Sequence, residues 1–285
     1  MAERRAPSVR SRQLAAELRR LRDETALTGE EVAARLGWSA AKVSRVETAR
    51  TAVSPADLQL LLDLYEISAQ HRERLTELGR TARQRGWWDA YADMLGPEYA
   101  TLIALESDAE SAGWYAAQIV PGLLQTEEYA REIIRSTLLI SPPGEVERRV
   151  QVRMSRQRVL TRENPLELAV VLDEAALERL VGGAGVMRAQ LRYLVEVAGW
   201  PNVQIQVLPN VAGAHPAVTG EFTILRFPEL IAPDVVYLEN MTSNIYVERE
   251  AEVFRYNLAL ERLSTLALGH EESVALIARQ ADAIK

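Results

Sequence analysis

Residues 29–47, GEEVAARLGWSAAKVSRVE, contain two short apolar segments joined at Gly37. The apolar positions are Val32, Ala33, Leu36, Trp38, Val43 and Val46. A glycine tolerates the left-handed backbone that a tight turn requires, and the small side chain of Ala33 allows two helices to approach closely. This spacing predicts two short helices joined by a tight turn, which is helix–turn–helix geometry. A plain helical hairpin is the alternative, because such spacing also occurs by chance.

The outer face of the second predicted helix is small and basic. It presents Ser39, Ala40, Ala41, Lys42, Ser44 and Arg45. Ser39 is a good N-cap. Three residues later, where a capping box would have an acid, the chain has Lys42. A helix N-terminus favours anions, and an acid there would repel phosphate. We therefore expect the recognition helix, about residues 39–48, to enter the major groove of double-stranded DNA.

Side chains on and around this helix predict two kinds of DNA contact. Arg45 can donate two hydrogen bonds to guanine O6 and N7, whereas Ala40 and Ala41 offer apolar contact, for example to a thymine methyl group. Phosphate contacts fix the register without reading sequence. We expect them from Thr28, Lys42, Thr48, Arg50 and Thr51.

The surrounding segments predict a five-helix N-terminal domain over residues 10–82. Thr28 and Glu31 form a capping-box pattern, and Ser54 followed by Pro55 is a second helix start. Gly86-Trp87-Trp88 then interrupts the pattern and is the predicted boundary.

Charge is distributed unevenly along the chain. Residues 1–85 carry 16 Lys+Arg and 12 Asp+Glu, a net of +4, whereas the remaining residues carry 17 and 28, a net of −11. This asymmetry suggests two parts with different partners. The chain has no cysteine, which excludes disulfides and cysteine-ligated metal sites. With neither a signal peptide nor a transmembrane segment expected, the sequence predicts a cytoplasmic protein that does not bind membranes.

Residues 87–285 are predicted to form an α+β domain. The segment up to about residue 160 is expected to be mostly helical. Strands are expected at 166–172, 203–208, 221–227, 234–239 and 244–247, and helices at 184–198, 249–267 and 270–283.

This second part shows no catalytic pattern. Its histidines are scattered, so we expect no metal site, no cofactor and no enzymatic activity. His215 lies in a predicted loop between strands, where ligands often bind, although most loop histidines have no such role. Trp114 and Tyr115 are candidate effector-pocket residues, with core packing as the alternative. Arg153 and Arg156 belong to an arginine-rich segment that is either an amphipathic surface helix or a docking face.

Residues 11–66 resemble the Xre-type (Cro/CI repressor-like) DNA-binding domain. The matching positions are Leu18, Arg22, Leu27, Val32, Ala33, Leu36, Gly37, Ser39, Val43, Ser44, Glu47 and Leu61. The resemblance implies that Ala40, Ala41 and Arg45 face base edges. It also implies that Arg22 pairs with Glu47. The family often has a phosphate-binding glutamine where this chain has Gly29, which can offer only its backbone N–H.

Residues 87–283 resemble the region that follows such a domain in actinobacterial regulators, including those of the WhiJ type. The most specific segment is IVPGLLQTEEYA. Such regulators are often encoded beside a small partner protein, and some are described as antitoxin-like. The resemblance therefore implies an effector- or partner-binding domain.

Together these observations predict a sequence-specific transcription regulator. Its C-terminal domain would dimerise and sense an unknown small-molecule effector or a partner protein. Dimerisation is expected because one recognition helix reads few base pairs, and two half-sites improve specificity. The alternative is an antitoxin-like module that sequesters a small partner protein encoded nearby; an enzyme with a DNA-binding head is a more distant one.

Overall fold

The computed structural model describes residues 9–82, 86–138, 142–228 and 233–284. Within these ranges the chain divides into two compact units, the first ending at Asp108 and the second beginning at Ala109. The first unit is helical, and the second combines a mixed sheet with helices. The predicted fold class, a mostly α N-terminal region followed by an α+β region, is confirmed.

Serine and threonine caps define the helix starts of the first unit. Its helices in the described ranges are α1 (Val9–Glu24), α2 (Gly29–Leu36), α3 (Ala40–Glu47), α4 (Pro55–Leu64), α5 (Ala69–Thr81) and α6 (Pro97–Asp108). The side chains of Thr28, Ser39, Ser54 and Ser68 each accept a hydrogen bond from a backbone N–H in the first turn of α2, α3, α4 and α5. These bonds satisfy amides that have no acceptor within a helix.

The turn between α2 and α3 depends on Gly37. Its φ of 65° lies in the left-handed region, and its N–H bonds back to carbonyls of α2. Val32 and Val43 are buried in one apolar cluster with Leu18 of α1 and Leu61 of α4. Because these inward residues hold α2 and α3 against α1 and α4, the opposite face of α3 is left at the surface.

The second unit is built on one mixed sheet. Its described strands are β1 (Ser111–Ala116), β2 (Glu167–Asp173), β3 (Val203–Leu208), β4 (Phe222–Arg226), β5 (Val235–Glu239) and β6 (Asn244–Val247). Their order is β3-β2-β1-β4-β5-β6. Strands β1, β2 and β3 run parallel, whereas β4, β5 and β6 pair antiparallel.

Helices complete this unit. They are α7 (Glu127–Thr137), α8 (Glu145–Arg156), α9 (Glu174–Glu178), α10 (Ala184–Val197), α11 (Glu250–Leu266) and α12 (His270–Ala283). Val253, Leu260 and Leu263 of α11 pack on one sheet face, in a cluster with Tyr115 and Phe222. None of the described helices is both long and apolar enough to span a bilayer.

The prediction of helix for most of residues 87–160 was wrong at β1. This strand, SAGWYA, lies between β2 and β4 in the sheet, although it has no β-branched residue. A Cβ at Gly113 would lie 2.3 Å from Leu260 Cδ2, so α11 packs directly on this part of the strand. Burial in the sheet decides the structure of a segment in which only Trp114 and Tyr115 favour a strand.

Candidate nucleic-acid interface

The outward face of α3 is exposed. Ser39, Ala40 and Ala41 begin this face, and Ser44 and Arg45 continue it one turn later; all are exposed. Ser39 Oγ accepts a hydrogen bond from Lys42 N at 3.2 Å. Small side chains therefore surround the helix start and one long arginine projects beyond them, a shape that allows close approach to a duplex.

Some side chains that are predicted to contact DNA already form hydrogen bonds or ion pairs within the protein, and others do not. The side chains of Arg45, Arg50 and Thr51 are exposed and form no hydrogen bond or ion pair with any residue that the structure describes. The two arginines are thus available to an external partner. Gly29, at the first position of α2, is partly exposed, and Val43 Cγ1 lies 3.8 Å from where an added Cβ would be.

Three predicted phosphate contacts are engaged within the protein. Thr28 Oγ1 donates to Glu31 Oε2 at 2.9 Å, and Thr48 Oγ1 donates to Ser44 O at 2.7 Å. Lys42 Nζ lies 2.8 Å from Asp57 Oδ1 and 3.8 Å from the Trp38 ring centroid.

The Lys42–Asp57 ion pair reduces the charge that Lys42 offers to a phosphate. Burial raises the pKa of Asp57, but hydrogen bonds from Lys42 and Ser54 outweigh it, so the pKa lies below its ordinary value. Asp57 therefore keeps its negative charge beside the ammonium at neutral pH.

Arg22 and Glu47 join α1 to the end of α3. Arg22 Nε lies 2.7 Å from Glu47 Oε1, Nη2 lies 3.2 Å from Oε2, and Nη1 donates to Leu27 O at 2.9 Å. The two side chains are 13% and 11% exposed. A bidentate, nearly buried contact of this kind fixes the orientation of the two side chains, and it holds the recognition helix at one angle to α1.

A groove of about 510 Å³ lies beside α3 and includes two residues that the sequence reasoning missed. Arg19 of α1 and Glu30 of α2 line it together with Thr28, Ala40 and Ser44. Arg19 precedes Arg22 by one helical turn, so helical spacing already placed the two near each other. Arg19 adds positive charge to this surface, whereas Glu30 opposes phosphate binding.

The candidate effector residues of the second unit form an internal network instead of an open pocket. Tyr115 is buried, and its hydroxyl donates to Asp173 Oδ2 at 3.1 Å and lies 3.4 Å from His215 Nε2. The rings of Tyr115 and His215 meet edge to face at 5.4 Å, and burial raises the pKa of Tyr115. This network ties the loop that contains His215 to the ends of β1 and β2.

Trp114 does not join this network. Successive residues of a strand point to opposite faces, so Trp114 and Tyr115 lie on opposite faces of β1. The two side chains therefore do not face one pocket, and core packing, the alternative given for these aromatics, describes the buried Tyr115.

The arginine-rich helix α8 does not present its predicted arginines as a docking face. Arg156 is only 3% exposed, and Arg153 Nη1 donates to Gln125 Oε1 at 2.7 Å. The arginine stem also packs on Gly122, where an added Cβ would lie 3.1 Å from Arg153 Cδ. Arg156 is buried and the partly exposed Arg153 is bonded within the unit, so the amphipathic-helix alternative describes α8 better.

A cleft of about 850 Å³ in the second unit is lined by none of the predicted residues. Its wall includes Ile119 after β1, Arg179, Glu221 before β4 and Glu239 at the end of β5. Burial raises the pKa of Glu221, and the charge of Glu239 raises it further. The cleft lies at the sheet edge where β1 and β5 end and β4 begins, and the carboxyl ends of strands are a common place for ligands to bind in open sheets. Because its residues come from α7 and from several separate loops, no sequence spacing revealed it.

The geometry defines a helix–turn–helix protein with an appended α+β unit. Residues 13–75 match a family model described as a helix-turn-helix domain, which supports a DNA-binding regulator rather than an enzyme. Residues 99–279 match the model described as a domain of unknown function (DUF5753). Because this match covers more than half of the 285 residues, the chain belongs to the DUF5753 family. No curated protein and no solved structure matches the chain.

Proposed function

We propose that this chain is a sequence-specific transcription regulator of the Xre type that acts in the cytoplasm as a homodimer. The recognition helix α3 enters the major groove of DNA. The observation that carries the proposal is the exposed face of α3, on which the Arg45 side chain forms no hydrogen bond or ion pair with the described residues. Small residues around it allow the backbone to approach base edges closely.

The roles proposed for the other residues follow from their bonding. Arg45 reads a guanine, and Ala40 and Ala41 contact neighbouring bases. Arg50 and Thr51 hold phosphates, as does the backbone N–H of Gly29. Lys42 contributes less than Arg50 because Asp57 already neutralises part of its charge. Arg22 and Glu47 set the angle of the recognition helix without touching bases.

The proposed domains are residues 10–82 for DNA binding and residues 87–285 for effector or partner binding. The compact first unit extends to Asp108, so residues 87–108 are grouped with the DNA-binding part by their contacts. We propose that the second domain, as in WhiJ-type regulators, converts a small-molecule or protein signal into a change in DNA binding. The cleft at Glu221 supports this role because its volume suits a small molecule, for which pockets span roughly 300–1,000 Å³.

Sequencing the genomic fragments that the full chain retains at moderate salt tests the proposal. We expect one shared site with two inverted halves, about 34–36 Å apart along the duplex. The control is Arg80→Ala, which should retain the same fragments. It removes an exposed arginine of α5 that pairs with Glu77 and lies outside the α1–α3 surface. Retention of a random sample of the genome by the unaltered chain would contradict sequence-specific binding. Co-purification of a small protein that abolishes DNA binding would favour the antitoxin-like alternative.

A further inference from the structure

Helix α11 has one buried face and one exposed apolar face. Val253, Leu260 and Leu263 face the sheet. On the opposite side Phe254 is 60% exposed and Leu258 is 48% exposed. Large apolar side chains on the solvent face of a helix indicate an interaction surface when they are adjacent. Here they are adjacent, because residues four apart occupy neighbouring positions on one helix face.

The residues around Leu258 combine apolar and charged side chains. Phe254 and Arg255 lie on the preceding turn, and Glu261 and Arg262 lie on the following turn; all are exposed. Arg255, Glu261 and Arg262 form no side-chain ion pair with the described residues. These four residues surround Leu258 on the helix surface, so a helix that packs on Leu258 also meets them.

This surface is complementary to itself under a two-fold rotation through Leu258. In an antiparallel pair of α11 helices, residues equally far before and after Leu258 face each other. Arg255 therefore faces Glu261 of the second copy, and the rotation forms this opposite-charge pair twice. Phe254 faces Arg262 of the second copy, whose guanidinium can stack on the ring. Ala251 faces Thr265, and both are small enough to let the helix ends approach.

We propose that α11 forms an antiparallel homodimer contact centred on Leu258. A second copy of this chain is the occupant that the charges favour, because each helix brings both members of the Arg255–Glu261 pair. A polyanion could pair with Arg255 and Arg262 but would leave Glu261 and the apolar centre without a suitable contact. This contact rests on the proposed function, because it specifies how the proposed regulator dimerises. It depends on α11 alone, and its dissociation constant is measured without DNA. Its failure is therefore distinguishable from a failure of DNA binding.

Sedimentation equilibrium of the full chain tests the contact through its dissociation constant. We expect a reversible dimer, and we expect Leu258→Glu to raise the dissociation constant at least about tenfold because it places two charges at the symmetry axis. Leu180→Glu is the matched control, since Leu180 is 57% exposed in the loop after α9. A monomer at all concentrations, or equal dimerisation of the Leu258→Glu variant, would overturn the proposal.

Charge exchange separates this contact from general surface effects. Arg255→Glu and Glu261→Arg alone should each weaken the dimer several-fold, because each places like charges opposite one another twice. The double variant Arg255→Glu/Glu261→Arg should return the dissociation constant to near the original value. Arg279→Glu on α12 controls for the change in net charge. Circular dichroism checks that every variant folds; a folded double variant that stays as weak as the single variants would contradict the proposed register.

Discussion

The exposed faces of α3 and α11 differ in what they can bind. The face of α3 is small and basic, with no acid between Ser39 and Val46. The face of α11 is apolar at its centre and carries both signs of charge around it. A surface of one charge sign suits a polyanion, whereas a surface with both signs in symmetric positions suits a copy of itself. We therefore propose DNA as the partner of α3 and a second copy of the chain as the partner of α11.

The largest expected effect comes from the ion pair that positions α3. Arg22→Ala leaves Glu47 nearly buried and unpaired, so the free energy of unfolding should fall by about 3 kcal/mol. Urea denaturation followed by circular dichroism measures this loss. The double variant Arg22→Met/Glu47→Leu should recover part of it because neither charge remains. An unchanged unfolding midpoint for Arg22→Ala would show that the pair does not hold α3 in place.

The next effect tests base reading by the face of α3. Arg45→Ala should weaken binding to the selected site by roughly 1–3 kcal/mol while leaving the unfolding midpoint unchanged, because the exposed side chain has no hydrogen bond or ion pair among the described residues to lose. Fluorescence anisotropy with the selected site and with a scrambled duplex measures both affinities. Equal weakening on both duplexes would remove Arg45 from base recognition.

Salt dependence separates two cations on the same surface. Arg50→Ala should reduce the slope of log affinity against log salt by about one unit, because one phosphate contact is lost. Lys42→Met should reduce it by less, since Asp57 already pairs with the ammonium. Affinities measured over a series of salt concentrations give both slopes. Equal slopes for Arg50→Ala and the unaltered protein would argue against a phosphate contact there.

The smallest effect concerns the cleft of the second unit. Glu221 has a pKa above its ordinary value, so the folded state retains this proton at pH values where the unfolded state has lost it. Stability conferred by the protonated carboxyl is therefore present at low pH and decreases as pH rises from about 4. Glu221→Gln should raise the melting temperature at pH 7 and have little effect near pH 4. The control is Glu196→Gln, which removes an exposed carboxylate; a lower melting temperature of Glu221→Gln at pH 7 would contradict an unfavourable charge at Glu221.

Local signals predicted much of the fold. Thr28, Ser39 and Ser54 mark helix starts because capping depends on residues close in sequence. Strands rich in β-branched residues, such as β2 and β3, were located within about one residue, which is the usual uncertainty of element ends. Strand β1 was missed because its stability comes from neighbours distant in sequence.

In the candidate sites, too, contacts between residues distant in sequence could not be predicted. The exposure of Arg45 follows from helical periodicity, so the sequence located this surface. The pairing of Lys42 with Asp57 joins α3 to α4, and nothing in the local pattern indicates it. In the second unit, Tyr115, Asp173 and His215 come from separate elements, and their network became visible only with the fold. Burial of Arg156 likewise depends on how α8 packs.

Selection from a randomised duplex pool, with the unaltered chain and Arg45→Ala in parallel, tests the claim that α3 reads DNA sequence. We expect one enriched motif for the unaltered chain. We expect the same motif for Arg45→Ala, except that one guanine position loses its preference. An absence of any enriched motif for the unaltered chain, or identical motifs from both proteins, would contradict the assignment of this face to base recognition.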